Sequence, residues 1–397
     1  MFKYSGVISS SKSLFNRLLI AQSYAPDLKL KGQSDCQDVT AMKRAIVALL
    51  QKQVIDCHSA GTVFRFIALR ASRTPGTHKL VGTQRLFSRP QEDILFILNQ
   101  LGVKNTFTGK ELIIHSEGWK KPLVPLKVHR DKSSQFASSI LLNSWDLPFD
   151  LKFSMSGQSI SEGYLLMTLS VVQELGMHVI HKDNAFYIPS GQKMELKNYT
   201  IEPDLSSIFA IAVAAVLAGQ AEFQEFPLRS LQPDLMFLDL FKRMKIDFKQ
   251  VPNGFSSTLT VNKSELNTPL SINISNAPDL FPILSILCAF TEGESLLFGA
   301  PHLIFKESNR IGKTIELLEL IGTKYEKQSD GLKISGTKEI SNRKFRIEPT
   351  VFDPDQDHRM AMAAGILKLI GFSITILNPE VVNKSFPDFW KILGVKP

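Results

Sequence analysis

Four stretches of the chain repeat one alternation of apolar and polar positions, a helical period that stops and is followed by two short runs of period two around a turn. The first covers 94–116 (ILFILNQLGVKNTFTGKELIIHS), where an apolar stripe stops at Gly102 and alternating residues flank Thr108-Gly109. The second, at 171–190 (VVQELGMHVIHKDNAFYIPS), stops at Gly176 and turns at Asp183-Asn184. At 240–261 (LFKRMKIDFKQVPNGFSSTLTV) the turn is Asn253-Gly254, and at 317–336 (LLELIGTKYEKQSDGLKISG) the stop is Gly322 and the turn Asp330-Gly331. Glycine after a helix accepts the left-handed conformation that caps it, and Asn-Gly or Asp-Gly between alternating residues is a strong hairpin signal. Further helices are predicted at 14–24, 39–51, 62–70, 135–142, 205–217 and 360–369. The pattern is α/β throughout, a helix-plus-sheet unit used repeatedly. No Gly/Ser-rich tract interrupts it, so any domain boundary is a tight hinge.

The length of 397 residues exceeds what one core organises, which predicts two domains or one large repetitive architecture. Lys3, Lys12 and Arg17 break up any leader-like apolar run, and the longest apolar stretches, 208–218 and 280–290, are too short to span a bilayer. Membrane insertion and export are therefore not expected. Cys36, Cys57 and Cys288 lack paired spacing, and His178 and His181 fall in an alternating segment, so a metal enzyme is disfavoured. The net charge of +8 admits anionic partners. Lys and Arg are scattered singly without interleaved aromatics, which points away from nucleic acid and toward small anions.

Candidate chemistry sits at helix starts, where backbone N–H groups and the helix dipole favour an anion. Ser11-Lys12-Ser13, Ala60-Gly61-Thr62 and Ser133-Ser134-Gln135 each fit an oxyanion cradle, although any one of them taken singly reads first as a plain cap, since such caps are common. Lys306-Glu307-Ser308-Asn309-Arg310 places two cations at i, i+4 as on one helical face. Asp357-His358-Arg359-Met360-Ala361-Met362 opens an apolar helix whose polar N-terminal end alone remains for contacts.

Taken in order, these segments resemble one family. Ser11-Lys12-Ser13 with Asn16-Arg17, Ala60-Gly61-Thr62 with Arg65, and Gly82 with Arg85 and Arg89-Pro90 look like the amino-terminal half of the 5-enolpyruvylshikimate-3-phosphate synthases. Ser133-Ser134-Gln135, Ser161 with Tyr164, Pro278-Asp279, Lys306-Glu307 with Arg310, Asp357-His358-Arg359 and Lys384-Ser385-Phe386-Pro387-Asp388 follow in the family's order over almost the whole chain. The resemblance implies two similar domains, each of three helix-plus-sheet units in an inside-out α/β barrel, with one domain at 12–203 and the other at 1–11 and 204–397. The active site would lie in the cleft between them. The implied reaction transfers the enolpyruvyl group of phosphoenolpyruvate to the 5-hydroxyl of shikimate 3-phosphate, without metal or cofactor, by a cytoplasmic monomer of the shikimate pathway.

Carried over by position, shikimate 3-phosphate would be held by Lys12, Ser13, Arg17, Ser133, Ser134, Gln135, Ser161, Tyr164, Asp279, His302 and Lys306. Phosphoenolpyruvate would meet Lys12, Gly61, Arg85, Gln135, Arg310, Arg359 and Lys384. Asp279 and Glu307 would carry the proton transfers, with Lys12 sharing in them. The chain departs from the family beside these positions: Ser59 and His302 stand where Asn is usual, Phe66 where Pro is usual, and Ser9-Ser10 replace Pro-Gly. Two rivals are a UDP-N-acetylglucosamine enolpyruvyl transferase and a non-catalytic paralogue that binds a phosphorylated metabolite. The first normally shows Lys-Asn where this chain has Lys12-Ser13, and a reactive Cys in a Pro/Gly-rich loop, unlike the settings of Cys57 and Cys288.

Overall fold

A computed structural model describes residues 1–339 and 349–397, which divide into two compact units, Lys12–Ile201 and Met1–Ser11 with Glu202–Pro397. In the first unit, one four-stranded sheet runs Ile55–Asp56, Gly76–Val81, Glu111–Ser116, Lys104–Phe107, its first pair parallel and the rest antiparallel. A second sheet, Leu126–His129, Leu151–Ser156, Ala185–Ile188, Ile180–Lys182, repeats that scheme. The third has two parallel strands only, Asn198–Thr200 and Lys29–Lys31. Three helices, Lys12–Gln22, Gly61–Ser72 and Gln135–Leu142, pack against one another on the inner side of these sheets.

The second unit follows the same plan. Phe2–Gly6, Gly219–Pro227, Ser256–Asn262 and Phe248–Asn253 form one sheet, and Ser271–Asn273, Gly293–Phe298, Gly331–Gly336 and Lys324–Gln328 another. Thr350–Phe352 and Ile374–Ile376 make the parallel pair. Its inner helices are Leu205–Ala218, Phe281–Ala289 and His358–Leu369, which also contact one another. A helix clad by neighbours on every side needs no polar face, and every residue from Leu205 to Val216 is buried. Helices inside and sheets outside thus follow from which helices are apolar all round. Gly219 serves close approach, because an added Cβ would lie 1.9 Å from Phe2 O in the adjacent parallel strand.

All four helix–hairpin segments form where the pattern predicts them. Gly102, Gly176 and Gly322 take positive φ after their helices, whereas at 240–261 the left-handed stop is Lys245, with φ 58°. The pairing of Asn253 with Ser256 puts Gly254-Phe255 at that hairpin's tip rather than Asn253-Gly254, the pairing of Gln328 with Gly331 puts Ser329-Asp330 rather than Asp330-Gly331 at the last one, and the bond from Thr108 N to Glu111 O centres the first turn on Gly109-Lys110 rather than Thr108-Gly109. Short parallel strands such as Ile55–Asp56 and Ser271–Asn273 were not foreseen, since two or three residues carry no usable period. Among the described residues, no helix is long and apolar enough to cross a membrane.

Candidate active site

In the unit containing Glu202–Pro397, an aspartate stands at the start of each inner helix. Asp204 accepts the backbone N–H of Ser207 (2.9 Å) and the Ser206 hydroxyl (2.6 Å). Asp357 accepts the N–H of Arg359 (2.9 Å), and Asp279 lies in the 3-10 turn Pro278–Leu280 that feeds Phe281–Ala289. The side-chain oxygens of Asp204 and Asp357 satisfy helix N–H groups that have no partner within the helix.

Arg310, the first residue of Arg310–Leu320 and only 1% exposed, ties these starts together. Its Nε donates to Asp357 Oδ2 (2.8 Å), Nη1 to Asp279 Oδ1 (2.8 Å) and Nη2 to Glu307 Oε2 (3.1 Å). Burial alone would lower its pKa, but Asp357, Asp279 and Glu307 outweigh burial and raise it above the ordinary arginine value. Arg359 Nη2 donates to Asp279 Oδ2 (2.6 Å) and Ser206 Oγ (3.1 Å). Lys384 Nζ lies 3.5 Å from Glu307 Oε1. Five residues singled out in the sequence, Asp279, Glu307, Arg310, Arg359 and Lys384, therefore form one cluster of alternating charge. Asp357, quoted only within a motif, and Ser206 complete it.

Lys306 corrects one expectation. It follows the 3-10 helix Pro301–Phe305 in extended backbone, and Asn309 caps Gly312 N (3.0 Å), so the next helix starts at Arg310. Lys306 and Arg310 do not share a helical face. Their charges still act on His302, 2% exposed, whose pKa is pushed down to about 2 by burial and then by Lys306, with Arg310 adding to Lys306 and Asp279 opposing. The imidazole is neutral.

The Lys12–Ile201 unit gathers a second set. Lys12 Nζ pairs with Asp38 Oδ2 at 3.0 Å, both side chains largely buried. Arg17 donates Nε to Thr168 Oγ1 (2.7 Å), Nη1 to Ser13 O (2.8 Å) and Nη2 to Tyr164 O (3.0 Å), which joins three predicted residues. Burial pulls the Arg17 pKa down to about 9, with Tyr164 opposing. Ser161, buried and left-handed at φ 53°, starts Glu162–Glu174, and its carbonyl accepts the N–H of Tyr164 (3.1 Å). Ser133 and Gln135 meet Arg65, and Gln135 Nε2 reaches Thr62 Oγ1 (2.9 Å) beside Gly61. Ser134, also buried, directly precedes Gln135–Leu142 with no side-chain cap bond, and an added Cβ on Gly61 would lie 2.9 Å from Arg89 Nη1. Arg85 lies exposed on the short helix Gln84–Phe87. Asp38, Thr168 and Arg65 were not among the predicted ligands; an acid in a helix's first turn such as Asp38 reads as an ordinary dipole partner, which hides it. Cys36, Cys57 and Cys288 are all buried.

Comparison with known proteins adds the family. The model of the family described as EPSP synthase (3-phosphoshikimate 1-carboxyvinyltransferase) matches residues 8–393. A 3-phosphoshikimate 1-carboxyvinyltransferase of Methanosphaera stadtmanae is 30% identical over 98% of this chain and 96% of its own length. That of Trichormus variabilis is 28% identical over 84% of this chain and 78% of its own. The fold is shared with an EPSP synthase structure from Acinetobacter baumannii, with TM-score 0.76, 19% identity and coverage of 99% of this chain and 95% of that one. An enolpyruvyl transferase from Streptomyces tendae gives TM-score 0.70 at 13% identity over the same shares. With its family matched from residue 8 to residue 393, the chain belongs to the EPSP synthase (3-phosphoshikimate 1-carboxyvinyltransferase) family.

Proposed function

We propose that this chain is an enzyme of the shikimate pathway that transfers the enolpyruvyl group of phosphoenolpyruvate to the 5-hydroxyl of shikimate 3-phosphate, with release of inorganic phosphate. The observation that carries the proposal is buried Arg310 bridging Asp279 and Glu307, with Arg359 and Lys384 on the same two carboxylates. Cations already held at fixed positions beside carboxylates suit a reaction between two anionic substrates in which protons must also move.

In the addition step the 5-hydroxyl oxygen bonds to C2 of phosphoenolpyruvate, losing its proton to Asp279, while C3 takes a proton from Glu307. In the elimination step the C2–O bond to phosphate breaks, the departing phosphate oxygen takes the proton held by Asp279, and Glu307 recovers a proton from C3, which leaves the enol ether, inorganic phosphate and both carboxyl groups in their starting states. Lys12 shares in this proton traffic. The phosphate and carboxylate of phosphoenolpyruvate meet Arg310, Arg359 and Lys384, the cations beside Asp279 and Glu307, and Lys12, Gly61, Arg85 and Gln135 supply further contacts. Shikimate 3-phosphate is held by Lys12, Ser13, Arg17, Ser133, Ser134, Gln135, Ser161, Tyr164, Asp279, His302 and Lys306. We place the enzyme in the cytoplasm as a monomer, which the mass from light scattering would check.

Phosphate release from shikimate 3-phosphate plus phosphoenolpyruvate tests the proposal. Stoichiometric phosphate and enol ether are expected. Release only when UDP-N-acetylglucosamine replaces the shikimate ester, or binding with no release, would overturn it.

A further inference from the structure

Arg65 stands outside the ligand set above yet touches two members of it. The side chain is 4% exposed and lies over the Phe136 ring, 4.9 Å from its centroid. Nη1 donates to Gln135 Oε1 (2.8 Å) and to Ser133 Oγ (3.3 Å), Nη2 to Pro90 O (3.1 Å) and Nε to Gln91 Oε1 (3.4 Å). A guanidinium has donors only, so Gln135 must turn its oxygen toward Arg65 and its nitrogen toward Thr62.

The effect on Ser133 is more specific. Its Oγ receives two hydrogens, from Arg65 Nη1 and from the backbone N–H of Gln135 (3.2 Å), so both lone pairs are engaged. The hydroxyl hydrogen takes part in neither bond and is left for the remaining tetrahedral direction, away from both donors. Only an acceptor can occupy that direction. Ser133 is half-buried, so a ligand can reach it, and a hydroxyl that receives a bond from a cation is polarised to donate more strongly.

We infer that Arg65 is a positioning residue that holds Ser133 as a one-way donor toward an anionic oxygen of the acceptor's phosphate monoester, and so makes the site favour a phosphorylated acceptor over its free alcohol. This rests on the function proposed above.

The test is a binding cycle with wild type, Arg65→Lys, Ser133→Ala and the double variant, titrated separately with shikimate 3-phosphate and with shikimate. Each single change should weaken shikimate 3-phosphate by roughly ten- to a hundredfold, the worth of a hydrogen bond to a charged group, and shikimate by less than about threefold. The double variant should be no weaker than the worse single one, because both changes remove the same donor. Losses that multiply in the double variant, or that fall equally on the two ligands, would overturn the inference. Should Arg65→Lys fail to fold, neutron diffraction on the wild-type protein decides: a Ser133 deuteron aimed away from Arg65 and the Gln135 N–H supports it, and any other direction refutes it. A wild type that binds both anions without turnover sinks the proposed function alone, whereas normal turnover with undiminished ester affinity in both variants sinks this inference alone.

Discussion

Replacing Asp357 by Asn isolates what its charge does, because Asn keeps the shape and remains a good helix cap. The native carboxylate uses both oxygens as acceptors: Oδ1 takes Arg359 N, while Oδ2 takes Arg310 Nε and the Ser308 hydroxyl. An amide has one oxygen. If it caps Arg359 N, its NH2 faces the Arg310 donor; if it turns round, the helix N–H faces NH2. Either way a fully buried donor loses its acceptor, for about 1–3 kcal/mol, and Arg310 loses one of three carboxylates. Breaking a buried ion pair outright costs about 3–5 kcal/mol, and because Asp279 and Glu307 remain on Arg310 the lower end, about 3 kcal/mol, is expected. For a folding unit of this size that corresponds to a fall of about 6–12 °C in melting temperature, measurable by scanning calorimetry. Since Arg310 loses the acceptor that fixes its Nε, or Arg359 the one that fixes its backbone N–H, kcat/KM should fall about a hundredfold in the same preparation when assayed below its melting point. An Asp357→Asn protein melting within about 2 °C of wild type would refute the view that this carboxylate holds the cluster together.

Asp279→Asn and Glu307→Gln should each lower kcat by roughly a hundred- to ten-thousandfold while dissociation constants for the two substrates change far less, checked by steady-state phosphate release beside equilibrium titration. His302 titrates in the unfolded chain near pH 6.5 but in the folded protein only at about 2, so the unfolded state binds the proton first and stability drops as pH falls below about 6.5. Between pH 7 and pH 5 this contributes a loss of roughly 2 kcal/mol in wild type that His302→Asn should lack, read as a flatter dependence of denaturant midpoint on pH; identical slopes would contradict it. Lys245→Gly, at the left-handed helix stop, should raise the melting temperature by a few degrees, the equivalent of about 1 kcal/mol of relieved backbone strain, and a lower melting temperature would show that the Lys245 side chain contributes more than its backbone penalty.

Much of the fold was legible because its repeat declares itself locally. Helical period, a glycine stop and a turn pair sit within about twenty residues at 94–116 and 317–336, and nothing distant is needed to read them. The two- and three-residue parallel strands were not legible, since Ile55–Asp56 is defined by its partner Gly76–Val81 and not by its own pattern. The candidate site divides in a similar way. Charged residues inside an ordered motif, such as Arg310 and Arg359, could be named from the sequence, but not their mutual geometry. Asp38 went unnamed and Arg65, though quoted within a motif, was given no role, because their significance lies in what they touch across 26 and 68 residues of sequence, namely Lys12 and Ser133. The expected Lys306–Arg310 helical face failed on a local competition, the Asn309 cap fixing the helix start four residues later than the charge spacing suggested.

The parallel pairing of Phe2–Gly6 with Gly219–Phe223 places one strand beside another made more than two hundred residues after it. At ordinary elongation rates that strand waits roughly 10–40 s without its sheet neighbour, while the whole Lys12–Ile201 unit is completed between the two halves of the pair. Nascent chains should therefore acquire protease resistance first in the Lys12–Ile201 unit and only later in the unit that holds Phe2–Gly6, although that strand is synthesised earlier.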